Sequence, residues 1–216
     1  MMIRRFAKSE DGSAMVEMAI VSTLLFALTL GFVDFGYALY QWNAATKAVQ
    51  IGARLASISD PAATNLTASA PTTSPGAPVV AGAYGPFVCT YSGNTGSCSN
   101  GGTFNATNFS RIFRGDTAVT NDNTCPTITA AQRLTMRPGM CHFFPGLQRD
   151  NIVITYSATG LGYQTRVGGP VPTITVNLQN MTYQFFFLGG LYGFGNMTMP
   201  SMLSTVTGED LKSTAS

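Results

Sequence analysis

The groups in this chain that could do chemistry are few, and four of them are cysteines. Cys89, Cys98, Cys125 and Cys141 lie in the C-terminal part, with the one histidine, His142, beside the last of them. Past residue 59 the carboxylates are Asp60, Asp116, Asp122, Asp150, Glu209 and Asp210. Four cysteines in an oxidising compartment admit two disulfides, most simply Cys89–Cys98 and Cys125–Cys141, although three pairings are open. A metal site built from thiolates and His142 is the alternative. It lacks a C-x-x-C pair, and adjacent Cys141 and His142 are badly placed to share one tetrahedral ion. No G-x-S-x-G elbow, H-E-x-x-H, P-loop or G-x-G-x-x-G occurs. A carboxylate-pair hydrolase would need acidic groups gathered from distant positions. With so little to build on, the expectation is no enzyme, no catalytic residue, no cofactor and no metal. Five N-x-S/T triplets, at Asn65, Asn105, Asn108, Asn180 and Asn196, read as composition in a Ser/Thr/Asn-rich chain.

The elements that must position these groups begin with a membrane crossing. Ser13 to Val33 reads SAMVEMAIVSTLLFALTLGFV and holds a single charge, Glu17. As a helix these 21 residues would span about 31 Å, one bilayer core. Arg4, Arg5 and Lys8 precede the run, so the positive-inside rule leaves the N-terminus in the cytoplasm and exports the rest. A cleaved secretory signal fits poorly, because its apolar stretch is shorter and ends in an A-x-A site. Across the whole chain only 10% of residues are charged, against roughly 25% in average soluble proteins. The net charge of +2 and the lack of a basic stripe exclude nucleic acid as a partner.

Glu17 is the oddity of the apolar run. A carboxylate in hydrocarbon is costly and marks function with a partner; the plain alternative is that it snorkels to nearby headgroups. A short charged leader ends in Gly12, a small residue (Ser13) follows, and the glutamate stands five places on. That layout resembles a type IV prepilin, with cleavage between Gly12 and Ser13. On that reading Glu17 serves subunit assembly, its partner the freed α-amino group of a neighbouring subunit.

No proline interrupts Asp34 to Ser59, so the helix is expected to continue to about residue 59. Phe35, Leu39, Trp42, Thr46, Val49, Ala53 and Ala56 recur at alternating spacings of four and three, a seam expected to pack on the exported domain. Tyr40, Asn43, Lys47, Gln50 and Arg54 form a polar stripe at the same spacing. The stretch over residues 4–59, through Gly12, Val16-Glu17, Asp34-Phe35-Gly36 and Gly52-Ala53-Arg54, resembles the TadE-like proteins. These are minor pilins or pseudopilins of the tight-adherence (Flp, type IVc) pilus. The resemblance implies a role in assembling a pilus for surface attachment. It implies as partners the prepilin peptidase, the major pilin, a related pseudopilin and the inner-membrane assembly platform.

The exported part is expected to be α+β: a small antiparallel sheet covered by the amphipathic half-helix, as in pilins. Strand candidates are Asn151–Tyr156, Pro172–Leu178 with Met181–Leu188 extending it, and Met197–Val206; Thr129–Arg137 reads as a short helix. The apolar run Phe185–Phe194 is either a strand buried on both faces or an exposed interaction surface. The organisation is then a cytoplasmic leader (1–12), a transmembrane half-helix (13–33) and an amphipathic half-helix (34–59). A linker or surface loop (60–83) and a disulfide-containing α+β domain (84–216) follow. Localisation follows as the bacterial inner membrane, with that domain periplasmic or carried into an extracellular pilus. The alternative function is an uncleaved, signal-anchored envelope binding protein; an anchored hydrolase is a third.

Overall fold

The computed structural model describes residues 10–117, 122–192 and 197–208. Most of the expected leader, Glu209, Asp210, Phe194 and Asn196 lie outside the described residues. The architecture is α+β, a long N-terminal apolar helix and one five-stranded antiparallel sheet.

Helix α1 spans Glu10–Ser57 without a break. No proline stands between Met1 and Asp60, and Pro61 follows the end, where the residue before proline disfavours helix. Hydroxyls along its apolar half bond back into the helix. Thr23 Oγ1 reaches Ala19 O at 2.7 Å and Thr29 Oγ1 reaches Phe26 O at 2.9 Å. Such bonds pair these hydroxyls within the helix itself. The helix from Gly12 onward is long and apolar enough to cross a membrane.

Two compact units compose the chain. The first comprises Met1–Gln41 and Thr182–Thr198; the second comprises Trp42–Met181 and Met199–Ser216. In the first unit the later segment pairs with itself through a Thr182–Thr198 bridge and a 2.7 Å bond from Tyr183 N–H to Met197 O. It then forms helix α3, Phe187–Tyr192.

The second unit holds strands β1 (Phe87–Ser92), β2 (Thr95–Cys98), β3 (Ile152–Ser157), β4 (Thr173–Leu178) and β5 (Met202–Thr207). Their order is β2-β1-β3-β4-β5, with every neighbour antiparallel. Alternation decides the faces: Phe87, Cys89, Tyr91, Ile152, Ile154, Tyr156, Ile174, Val176 and Leu178 are buried. The β1–β2 turn is Gly93-Asn94, with Gly93 at φ 60°. A positive φ at the first turn position suits a type II′ hairpin and favours glycine there. Helix α2, Ala106–Arg114, is capped by Asn105 Oδ1, which accepts the N–H groups of Thr107 and Asn108 at 2.9 and 3.1 Å. It buries Phe109, Ile112 and Phe113, and Phe109 meets Tyr91 edge-on at 5.0 Å.

Several expectations change. The buried face of α1 runs through Asp34, Gln41, Ala45, Ala48, Val49, Ala53 and Ala56, while Phe35 and Leu39 stay 57% and 65% exposed. The seam therefore holds at its C-terminal end and is rotated in its first half, where polar and small residues face inward. Met181–Leu188 does not extend β4. Thr129–Arg137 is reduced to a 3-10 turn, Gln132–Leu134, in a stretch confined between Pro126 and Pro138. Residues 60–83 carry a 3-10 helix, Thr64–Ala68, and bury Ala62, Ala63, Leu66 and Val79.

Where α1 enters the second unit, Gly52 permits a close approach. A Cβ added there would lie 2.8 Å from Met140 Cγ. Met140 is wholly buried, so the absent side chain of Gly52 is filled by its neighbour.

Candidate functional site

Gly12, Ser13 and Glu17 all lie on α1 and are exposed. Residues four apart share a helix face, and Ser13 Oγ donates to Glu17 Oε1 at 3.3 Å. The carboxylate is thus held by a neutral hydroxyl of its own chain, on an outward face with room for a cation.

Directly after the apolar run the first unit contains an arrangement that sequence reading missed. Asp34 is the one charged residue between Glu17 and Lys47, and it is fully buried. Its Oδ1 accepts the N–H of Phe186 at 3.0 Å; its Oδ2 accepts those of Phe187 at 2.9 Å and Leu188 at 2.6 Å. The first N–H groups of a helix have no partner within it, so Asp34 caps α3 from a distant part of the chain. One heptad on, Gln41 repeats the device: its Nε2 donates to Gln184 O at 3.3 Å and its Oε1 accepts Gln184 N–H at 3.4 Å. Residues 184–188 are thereby strapped along α1 by bonds from the Asp34 and Gln41 side chains to their backbone.

Aromatic rings fill the strap. Phe35 meets Phe185 edge-on with centroids 6.3 Å apart, and Tyr37 meets Phe186 at 5.0 Å. A wholly apolar hollow of about 190 Å³ is lined by Phe35, Phe185, Leu188 and Met197. The legible signal was an acidic residue at the end of one uncharged run and a glycine-rich aromatic run with no charge of its own. Asp34 entered the sequence reading only as part of a motif.

In the second unit Cys89 is bonded to Cys98 and Cys125 to Cys141. The first bridge joins residues directly opposite in the β1–β2 pair. Cys125, Cys141 and His142 are brought together, their ligand atoms within 4.8 Å of one another, but the two sulfurs are spent on each other. Both His142 nitrogens are engaged in backbone bonds. Nδ1 accepts Gly139 N–H at 3.1 Å and Nε2 lies 2.8 Å from Pro126 O, so the ring ties together the two sides of the disulfide loop.

Three arginines of this unit are held in local interactions. Arg149, 1% exposed, lies over the Tyr91 ring at 4.3 Å and donates to Asn94 and Asn123 Oδ1, both at 3.2 Å. Arg114 pairs with Asp122. Arg137 Nε binds Asp116 at 2.8 Å. That bond, against a smaller opposing effect of burial, holds the Asp116 carboxyl below its ordinary value. Burial pushes the Tyr84 hydroxyl up to about 12 and raises that of Tyr156 as well.

Comparison with known families bears on the first of these arrangements. Residues 12–54 match the family described as TadE-like protein. The matched stretch contains Gly12, Ser13, Glu17, Asp34, Gln41 and Gly52, and TadE-like proteins are structural components of the tight-adherence pilus system. No curated protein matches the chain, and no solved structure matches it.

Proposed function

We propose that this chain is a minor pilin or pseudopilin of a tight-adherence pilus. It takes part in initiation, in the tip or in regulation of a fibre used for surface attachment. The observation that carries the reading is the TadE-like match over residues 12–54, which spans Gly12, Ser13 and Glu17 on exposed turns of a continuous helix. In this role residues 13–33 hold the chain in the inner membrane and the disulfide-bonded part is periplasmic. A prepilin peptidase cuts between Gly12 and Ser13 and creates a cationic amine at membrane depth.

Glu17 is then the group that needs that amine. An ionised carboxylate in hydrocarbon is stabilised by a paired cation far more than by a hydroxyl. A neighbouring subunit, the major pilin or a related pseudopilin, supplies it while the inner-membrane platform brings the helices together. The role is structural and non-catalytic.

N-terminal sequencing of the membrane-extracted protein, with and without the peptidase, tests the reading. A peptidase-dependent start at Ser13 is expected. A start at Met1 in both cases would favour an uncleaved, signal-anchored envelope binding protein instead. Glu17→Val is expected to enter the membrane and to fail in assembly; normal piliation in that variant would remove Glu17 from the mechanism.

A further inference from the structure

Asp34 follows Val33, the last residue of the apolar run, at a rise of only about 1.5 Å. Whatever Asp34 holds is therefore held at the outer edge of the hydrocarbon. It holds the backbone of residues 186–188. Two side chains of that strap face outward, Phe186 at 60% and Phe187 at 41% exposed, beside Met197 at 50% and Phe35 at 57%, while Phe185 and Leu188 are half-buried. No charged residue occurs between Arg166 and Glu209, nor between Asp34 and Lys47. An uncharged, phenylalanine-rich surface at this depth suits the headgroup–acyl boundary, into which apolar faces carrying Phe and Leu are buried.

We infer that residues 185–188, with Phe35 and Met197, are a second membrane contact, a foot resting in the outer leaflet interface of the bilayer that α1 crosses. The occupant of this surface is lipid. A soluble domain exposing so many adjacent aromatics would be prone to aggregate, whereas the same patch beside a transmembrane helix is covered by the membrane it already touches. Asp34 and Gln41 explain how such a segment is affordable there. Close to lipid, backbone N–H groups must be bonded within the protein, and these two side chains bond the N–H groups of Gln184, Phe186, Phe187 and Leu188. The inference rests on the membrane-anchored reading and adds to it a lateral contact that fixes the segment against the leaflet surface.

Spin labels on the full chain in phosphatidylcholine/phosphatidylglycerol nanodiscs test it, with both disulfides verified by mass. Labels are placed at Leu25→Cys in the span, Phe186→Cys on the foot and Val80→Cys, which is 67% exposed in the second unit. Phe187→Cys repeats the measurement if Phe186→Cys does not fold. The expected result at Phe186 is high collision with oxygen and a several-fold lower collision with a water-soluble nickel chelate than at Val80, as at Leu25. Nickel access equal to that at Val80 would overturn the inference, and so would shielding from both reagents, which marks a protein in the place of lipid. Nickel access at Leu25 would instead sink the membrane anchor itself, and the foot with it.

Discussion

Asp34 Oδ2 accepts the N–H of Leu188 at 2.6 Å across 154 residues of chain. This bond and its two neighbours make a carboxylate at the end of the apolar run into the cap of a short helix far along the sequence. Bonds to a charged acceptor are about twice as strong as neutral ones, and here they hold Phe186, Phe187 and Leu188, while Gln41 holds Gln184.

Asp34→Ala is therefore expected to free residues 186–188 without unfolding the sheet. Amide exchange at Phe186, Phe187 and Leu188 should quicken roughly tenfold or more, since each loses its charged acceptor. Exchange in β3 and β4 should stay as in the parent. Unchanged protection at Leu188 would show that the strap is held by ring packing alone.

Gly52→Leu should destabilise the second unit by about 1–3 kcal/mol, because the added side chain meets buried Met140 in a filled core. Combining it with Met140→Ala should cost less than the sum of the two single changes, as expected for residues in contact. Denaturant melts of the four proteins measure this. Strict additivity would mean that α1 and the Met140 turn do not share the space.

Replacing Cys125 and Cys141 together by alanine should cost about 3 kcal/mol on the loop-entropy account of a 16-residue closure. The cost should include loss of the His142 bonds to Gly139 and Pro126. Loss of the Cys89–Cys98 bridge should be milder, since the hairpin turn already sets its register. Thermal melts of the two double variants rank the bridges, and the reverse order would contradict the locking role of His142.

Alkaline pH supplies a further check. Burial lifts the Tyr84 hydroxyl to about 12, above its unfolded value of about 10, so the folded state binds this proton more tightly. Its contribution is complete below pH 10 and is lost as pH rises through 12. The Tyr84 hydroxyl finds no hydrogen-bond partner among the described residues. Tyr84→Phe should therefore leave stability at neutral pH equal or slightly higher and soften the alkaline decline. A variant that is markedly less stable at pH 7 would mean that the hydroxyl is bonded after all.

Much of the architecture is written in local pattern. The unbroken apolar stretch, the absence of proline to residue 60 and the alternation in PTITVNL make α1 and β4 legible, because period and propensity act within a few residues. Helix α2 was legible too but overlooked: Asn105 caps it, and Phe109, Ile112 and Phe113 recur at helical spacing. The simplest cysteine pairing could be named as one of three, and the β1–β2 register then places Cys89 opposite Cys98.

What the sequence determined by itself is a helix able to cross a membrane, the short-leader layout of Gly12, Ser13 and Glu17, and a set of strands able to pair. Tertiary structure decided which face of α1 turns inward and what Asp34 and Gln41 are for. The reason is physical. On the proposed membrane-anchored reading, apolarity beside lipid no longer distinguishes core from surface: Phe35 and Leu39 lie exposed while Asp34, Gln41, Ala45 and Ala48 are buried. A buried carboxylate is explained only by its partners, and those partners are backbone N–H groups, which every residue but proline carries and no sequence pattern can single out.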